Sequence, residues 1–410
     1  MPVPVLTDRY GRAVHPSGGE SVQRPSPDPA RVAGLDGLRG LAALFVVVHH
    51  CWLLSFRGRY PLVAGPEWLD WLLHGRFAVV FFITLSGFSL AISPARHGWR
   101  LGGVRRYAKR RAWRILPPYW AALVFSLVVA ATWTRLPLAD PPTGRSVVVY
   151  GLLLQDFVPA PMPNAVFWSI AVEAALYLAF PLLLIVRRWA GAAAMLAAVA
   201  VPVVAVGLLV PAVSSTPTAP ATAATPTQTW FTFELAPLFA MGVVAAGVVA
   251  AGERVRRVPW HWLALLAAAP VLLLIVVRGS LWTVGHYYWI DLALGPAIAL
   301  LLAAVATRRP APLTWLLATR PVTALGRYSY SLYLVHLPIV LVISRKIVAP
   351  HLPPGLPRFW VTLVLATSVS LVAAWVFASV FEIPFQRYRS WSALRAAAKG
   401  AVGGRWRPVA

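Results

Sequence analysis

With 410 residues, 59% hydrophobic and only 12% charged, and a mean hydropathy of +0.69, the chain falls outside the composition of a water-soluble globular domain. Its net charge of +24 does not imply a nucleic-acid partner, because the basic residues are divided among segments between apolar runs and form no single face. The single cysteine, Cys51, excludes an intramolecular disulfide and a thiolate metal cluster. No CxxC, HExxH, Walker or dinucleotide glycine motif occurs, so neither a metal nor a permanently bound cofactor is implied.

In chain order, residues 1–32 are rich in Pro, Gly, Ser and Arg and lack an apolar core, which reads as a disordered cytoplasmic tail and not as a cleaved signal peptide. Apolar runs of roughly 17 to 25 residues then begin near Leu35, Phe77, Ile115, Phe167, Ala190, Trp230, Trp260, Tyr288, Val322 and Phe359. Lipid forces every backbone polar group to be satisfied internally, and the alternation of a membrane barrel is absent. The prediction is an all-α, polytopic transmembrane helical bundle of about ten spans over residues 33–384, followed by a basic cytoplasmic tail at 385–410.

The run Ser146 to Val158 is apolar but short, and basic residues decide its reading. If it does not cross and the N-terminus is cytoplasmic, then Arg96 to Arg114, Arg187-Arg188, Arg254 to Arg257, Arg308-Arg309 and the C-terminal tail all lie inside. The segment is therefore expected to be re-entrant or interfacial, with both termini cytoplasmic. The Pro/Thr/Ala stretch Ser214 to Thr229 reads as an extracytoplasmic spacer.

Charged or titratable side chains at bilayer depth cost at least ~2.5–3.5 kcal/mol on insertion scales, so each needs a reason. The residues concerned are Arg39, His49, His50, Glu173, Glu234, Asp291 and His336. Counting from span ends at ~1.5 Å per residue puts His50, Glu173 and His336 at similar depth in the outer half of the membrane, which suggests one polar pocket. An imidazole beside a carboxylate is the minimal general base with an orienting partner. Arg39 and His50 are eleven positions apart, almost three turns, so both face one side of the first helix while His49 is turned by about 100°. The bland alternatives are packing histidines bonded to carbonyls, and Glu173 as a polar link between helices. Asp291 and Glu234, close to span ends and beside Tyr287, Tyr288 and Trp289, read as solvated. The basic stretch His97 to Trp120 is either a topogenic cluster touching anionic lipid or a dock for a phosphate-rich ligand, with Arg110 and Arg114 sharing a helix face before a break at Pro117-Pro118.

Six ordered blocks resemble the membrane-bound acyltransferase-3 family: LDGLRGLAALFVVVHH, FFITLSGFSL, KRRAWRILPPYW, FWSIAVEAALYLAFPLL, LGRYSYSLYLVHLPIV and FEIPFQRY. The resemblance implies a ten-helix core that takes an acyl group, acetyl by default, from cytosolic acyl-CoA as donor substrate and places it on a hydroxyl of a carbohydrate-type acceptor, a cell-envelope glycan or a macrolide. It implies catalytic roles for Arg39, His50 and Glu173, and acyl-CoA contacts for Arg110, Arg111, Arg114 and Arg39. Asp36, Ser86, Trp168, Ser169, Tyr333 and His336 fall in the same blocks as supporting residues. Many relatives carry a second acid after the Glu, where this chain has Ala174-Ala175. Some relatives append an extracytoplasmic esterase-like domain; here about 28 residues follow the last span, so the acyl group is placed directly or handed to a separate extracytoplasmic partner.

Two rival readings come from other classes. A proton-coupled secondary transporter would also keep His and Glu at mid-depth, and predicts an inverted repeat. A non-catalytic membrane scaffold predicts that each polar residue is individually replaceable.

Overall fold

The computed structural model describes residues 32, 34–133, 136–214, 232–388, 392 and 394–395, so the expectations for the N-terminal tail, most of the Ser214 to Thr229 stretch and most of the C-terminal tail lie outside the described residues. The longer helices in chain order are α1 (Leu35–Leu53), α2 (Arg76–Arg96) and α3 (Val104–Thr132); a short α4 (Gly144–Gly151) precedes α5 (Trp168–Trp189) and α6 (Gly191–Leu209). After a single turn, α7 (Pro211–Ser214), come α8 (Ala236–Ala245), a short α9 (Glu253–Arg256), α10 (Trp260–Arg278), the short α11 (Ser280–Gly285) and α12 (Tyr287–Ala306). The chain closes with α13 (Ala311–Leu317), α14 (Arg320–Arg327), α15 (Ser329–Val342), α16 (Leu356–Phe377) and α17 (Ile383–Arg387). A two-residue antiparallel pairing, Gly58–Arg59 with Leu62–Val63, is the only sheet among the described residues.

Nine helical segments among the described residues are long and apolar enough to cross a membrane. Helix α1, also 19 residues long, falls outside that set because Asp36, Arg39 and two histidines dilute its apolar run, yet it packs against α14, α15 and α16. The fold is thus the all-α polytopic bundle expected from the sequence. Burial separates its centre from its rim: the window in Ser329–Val348 is 78% buried, that in Trp260–Arg278 only 11%. A helix apolar all round with its side chains open suits contact with lipid tails, and α10 is of that kind.

Two expectations about the elements need correction. The basic stretch is no loop, and Pro117-Pro118 do not break it: α3 runs unbroken from Val104 through both prolines to Thr132. Proline's fixed φ is itself helical, and only the carbonyls one turn back lose their donors, which a long helix held by its neighbours tolerates. The ninth predicted span begins at Ser329 and not near Val322, because α14 ends at Arg327. The short run from Ser146 behaves as expected of a segment that does not cross: α4 is 8 residues, about 12 Å, capped by Thr143 and Ser146. The loop beyond it is tied to the start of α8 by Asp156, which accepts from the Thr232 amide (2.9 Å) and hydroxyl (2.5 Å). Burial pushes the Asp156 carboxyl above its usual range, and those two bonds oppose the shift.

Without a hydrophobic drive between helices in lipid, close packing decides association, and small residues permit it. A Cβ on Gly87 of α2 would sit 2.1 Å from the Phe239 carbonyl oxygen, and one on Gly242 of α8 2.0 Å from that of Thr84. Neither backbone can yield, so a Gly242→Leu protein is expected to lose its monodisperse peak in size-exclusion chromatography of detergent extracts. Gly252→Leu, where an added Cβ meets nothing within 4 Å, should elute as the parent does.

Candidate active site

The apolar run of α1 carries its polar groups at the ends: Asp36 and Arg39 at the start, His49 and His50 in the last turns. Helical spacing sends the two rings to different walls, as expected. His49 Nδ1 lies 2.6 Å from the Leu72 carbonyl, on the 3-10 segment Glu67–His74. His50 turns to α15, where its Nδ1 lies 3.3 Å from Nε2 of His336.

Hydrogen-bond logic assigns the tautomers. His336 Nδ1 is 2.8 Å from the Tyr333 carbonyl and 3.1 Å from that of Leu332, which only an N–H can satisfy, so its Nε2 carries a lone pair. His50 Nδ1 is 2.9 Å from the Val46 carbonyl and also needs its proton, which it shares with His336 Nε2. The remaining nitrogen, His50 Nε2, is then a lone pair with no hydrogen bond among the described residues. Both rings are buried.

Glu173 is not the partner of His50. It accepts from the hydroxyls of Ser86 on α2 and Tyr177, one turn further along α5. Depth counting failed here by one turn: Ser169, which precedes Glu173 by four residues on the same face, meets the Tyr333 hydroxyl at 2.7 Å beneath His336. The carboxylate consequently falls on the Arg39 side of the bundle. Arg39 donates to Ser89 Oγ (2.6 Å) and Asp36 Oδ1 (3.1 Å) and lies within electrostatic reach of Arg114, Tyr177 and Glu173. A polar column therefore runs through the bundle from Asp36 and Arg39, past Ser89, Ser86, Tyr177 and Glu173, to Ser169, Tyr333, His336 and His50.

The arginines of α3 differ in depth. Arg111 lies over the Tyr107 ring (6.0 Å) and within electrostatic reach of Tyr177, with its Nε buried and unbonded. Arg114 interacts with Arg39 and with Glu382. Arg110 and Arg114 are both exposed and share a face at i,i+4 spacing, while Arg111 is half-buried, so Arg111 is the arginine set into the bundle and Arg114 reaches Arg39 and Glu382 from its surface.

Asp291 and Glu234 are also corrected: they are not solvated but buried, at 0% and 7% exposure. Arg76, at the start of α2, donates from Nε to Asp291 Oδ2 (2.6 Å) and from Nη2 to Glu234 Oε1 (3.1 Å), with its guanidinium 5.4 Å from the Trp168 ring and 5.6 Å from that of Tyr287. Arg76 went unread because it precedes its apolar run; two intramembrane acids without a cation were the available signal. Glu382 was missed too. It is buried in a π-helical turn and accepts from the Ser331 amide (3.2 Å), its hydroxyl (2.5 Å) and Gln386 (2.9 Å). Among the described residues no group of acids, histidines and cysteine is arranged to hold a metal ion.

A buried histidine at one end of a line of polar side chains whose other end lies among arginines, inside a lipid-facing bundle, defines a membrane protein with an enzyme-like interior. The chain belongs to the acyltransferase-3 family, whose profile, described as an acyltransferase domain, matches residues 32–379. Over 383 residues it is 29% identical to the acyltransferase MdmB of Streptomyces mycarofaciens, covering 88% of this chain and 93% of that one. It is 27% identical over 381 residues to the putative peptidoglycan O-acetyltransferase YrhL of Bacillus subtilis strain 168, covering 88% of this chain but only 56% of that longer protein. No solved structure matches it. The family and these relatives support a membrane acyltransferase.

Proposed function

We propose that the protein is an acyl-CoA-dependent O-acyltransferase of the bacterial inner membrane, moving an acyl group, acetyl by default, onto a hydroxyl of an envelope glycan or a glycosylated macrolide. The observation that carries this reading is the free Nε2 of buried His50, backed by His336 at 3.3 Å. In the proposed reaction His50 Nε2 takes the acceptor's hydroxyl proton as its oxygen attacks the thioester carbonyl. The C–S bond breaks, and the imidazolium returns the proton to the departing thiolate. His336 accepts from the Nδ1–H throughout and stabilises the charged ring, the part a carboxylate plays in other His-based sites.

The donor's phosphates are assigned to the arginine end, with Arg111, Arg114 and Arg39 as binding groups and Arg110 as an outer contact. The positive-inside rule supports a cytosolic position for that end, with both termini on the same side. The thioester would follow the polar column towards His50, with Glu173 and Tyr177 lining its way. Charge-neutral Arg111→Gln and Arg114→Gln proteins are expected to raise the KM for acyl-CoA by about tenfold to a hundredfold each with little change in kcat, since one charge-assisted contact is worth on the order of 1.5–3 kcal/mol.

The deciding experiment is acceptor-dependent release of coenzyme A thiol by protein reconstituted in liposomes, with peptidoglycan fragments and macrolides as acceptors. Mass spectrometry of envelope glycans and metabolites from a deletion strain, against its parent, identifies the acceptor. Solute uptake without thiol release would replace this reading by the transporter.

A further inference from the structure

At the basic end of α5 a cleft of about 400 Å³ opens between that helix and the segment joining α2 to α3. Its walls are Trp99, Arg100, Leu101 and Gly102 on one side and Arg188 and Trp189 on the other, with Pro181, Leu184 and Ile185 as an apolar floor. No carboxylate lines it. Arg39, Arg111 and Arg114 do not line it either, so it is separate from the arginine end of the polar column.

The wall is held in place by identifiable contacts. Trp99 has φ +60°, a left-handed conformation costly for a bulky side chain, and its amide bonds the Pro94 carbonyl at 2.7 Å. The Arg187 guanidinium stacks 4.1 Å from the Trp99 ring, and its Nε is buried without a hydrogen-bond partner. Arg188 lies 5.2 Å from the ring of Trp189, itself 78% exposed. Two tryptophans and three arginines thus gather where an apolar helix surface ends, the level of lipid headgroups.

We propose that this cleft binds an anionic phospholipid, its phosphodiester on Arg100 and Arg188 and one acyl chain along α5, with Arg187 stacked on the Trp99 wall. Charge complementarity supplies the head, since basic pockets between spans select anionic lipid. The floor supplies the tail: Ile185 continues into Leu182 and Leu178, 66% and 80% exposed on the outside of α5. A ligand lying here points its aliphatic part outward into the bilayer. Acyl-CoA must send its acyl end inward to His50, so the cleft fits the lipid and not the donor.

Native mass spectrometry of the full chain released from nanodiscs tests this, with phosphatidylglycerol and phosphatidylcholine as probes. The parent should retain phosphatidylglycerol and lose phosphatidylcholine. With each arginine near the surface worth about a fivefold factor, the Arg100→Gln/Arg188→Gln protein should bind phosphatidylglycerol about thirtyfold more weakly. Arg254→Gln/Arg256→Gln, on a different basic segment, should bind as the parent does. Folding is checked separately by the thermal midpoint in an uncharged detergent, which should not move. Equal retention of the two lipids, or an unchanged affinity in the Arg100/Arg188 double substitution, would overturn the proposal. So would competitive displacement of phosphatidylglycerol by coenzyme A, which would make the cleft a nucleotide dock.

Discussion

A His50→Gln protein is expected to insert, fold and elute as the parent does, yet to transfer acyl groups about 10²- to 10⁴-fold more slowly, the usual worth of a positioned general base. Glutamine can still bond the Val46 carbonyl, so the last turn of α1 keeps its local partner. What it removes is a basic nitrogen. His336→Gln should fall between the two, because an amide oxygen can replace the His336 acceptor but not its imidazole. Its pH profile should also move, since it is the neighbour of the titrating ring and not the base itself. Thiol release by His50→Gln at the parental rate, in protein shown to be folded, would remove the imidazole from the mechanism.

Arg76→Met should be the most damaging single change to stability outside the glycine contacts. It strips the cation from two buried carboxylates on different elements, and breaking a buried pair by removing one partner costs about 3–5 kcal/mol. Against a total stability of ordinarily ~5–15 kcal/mol, that is a large part of the folded state. The thermal midpoint in detergent should drop sharply. A triple protein, Arg76→Met with Asp291→Leu and Glu234→Gln, should recover much of it, because a buried ion network can be exchanged for packed apolar groups where one orphaned member cannot remain. If Arg76→Met alone melts with the parent, the network is not what joins α2 to α12 and the turn before α8.

The sequence carried the bundle well because hydropathy and helix length are properties of single segments. The approach of His50 and His336 was legible only in part: counting from Val322 put His336 at the depth of His50, but α15 begins at Ser329, so His336 stands seven residues beyond its start and the count found the level without the right helix. The partner of Glu173 was not. A carboxylate one turn away from a histidine and one in contact with it differ by about 5.4 Å along a helix, less than the uncertainty in where a span starts. Trp168 opens α5 after a 3-10 turn at Ala165–Phe167, and that irregular entry decides which turn faces which helix. Arg76 and Glu382 failed for a related reason: each stands at the edge of its apolar run, where position alone reads as solvated and only the neighbouring helices reveal burial. The prolines of α3 misled because the rule against them is strictest for isolated helices in water.

His49 is moored at Leu72 to the 3-10 segment Glu67–His74, and a Cβ on Gly75 would strike its ring at 2.4 Å, so that segment rests directly on the imidazole. The 3-10 segment and the last turns of α1 are therefore joined through His49 itself, and any shift of that segment bears on the stretch of backbone that also carries His50.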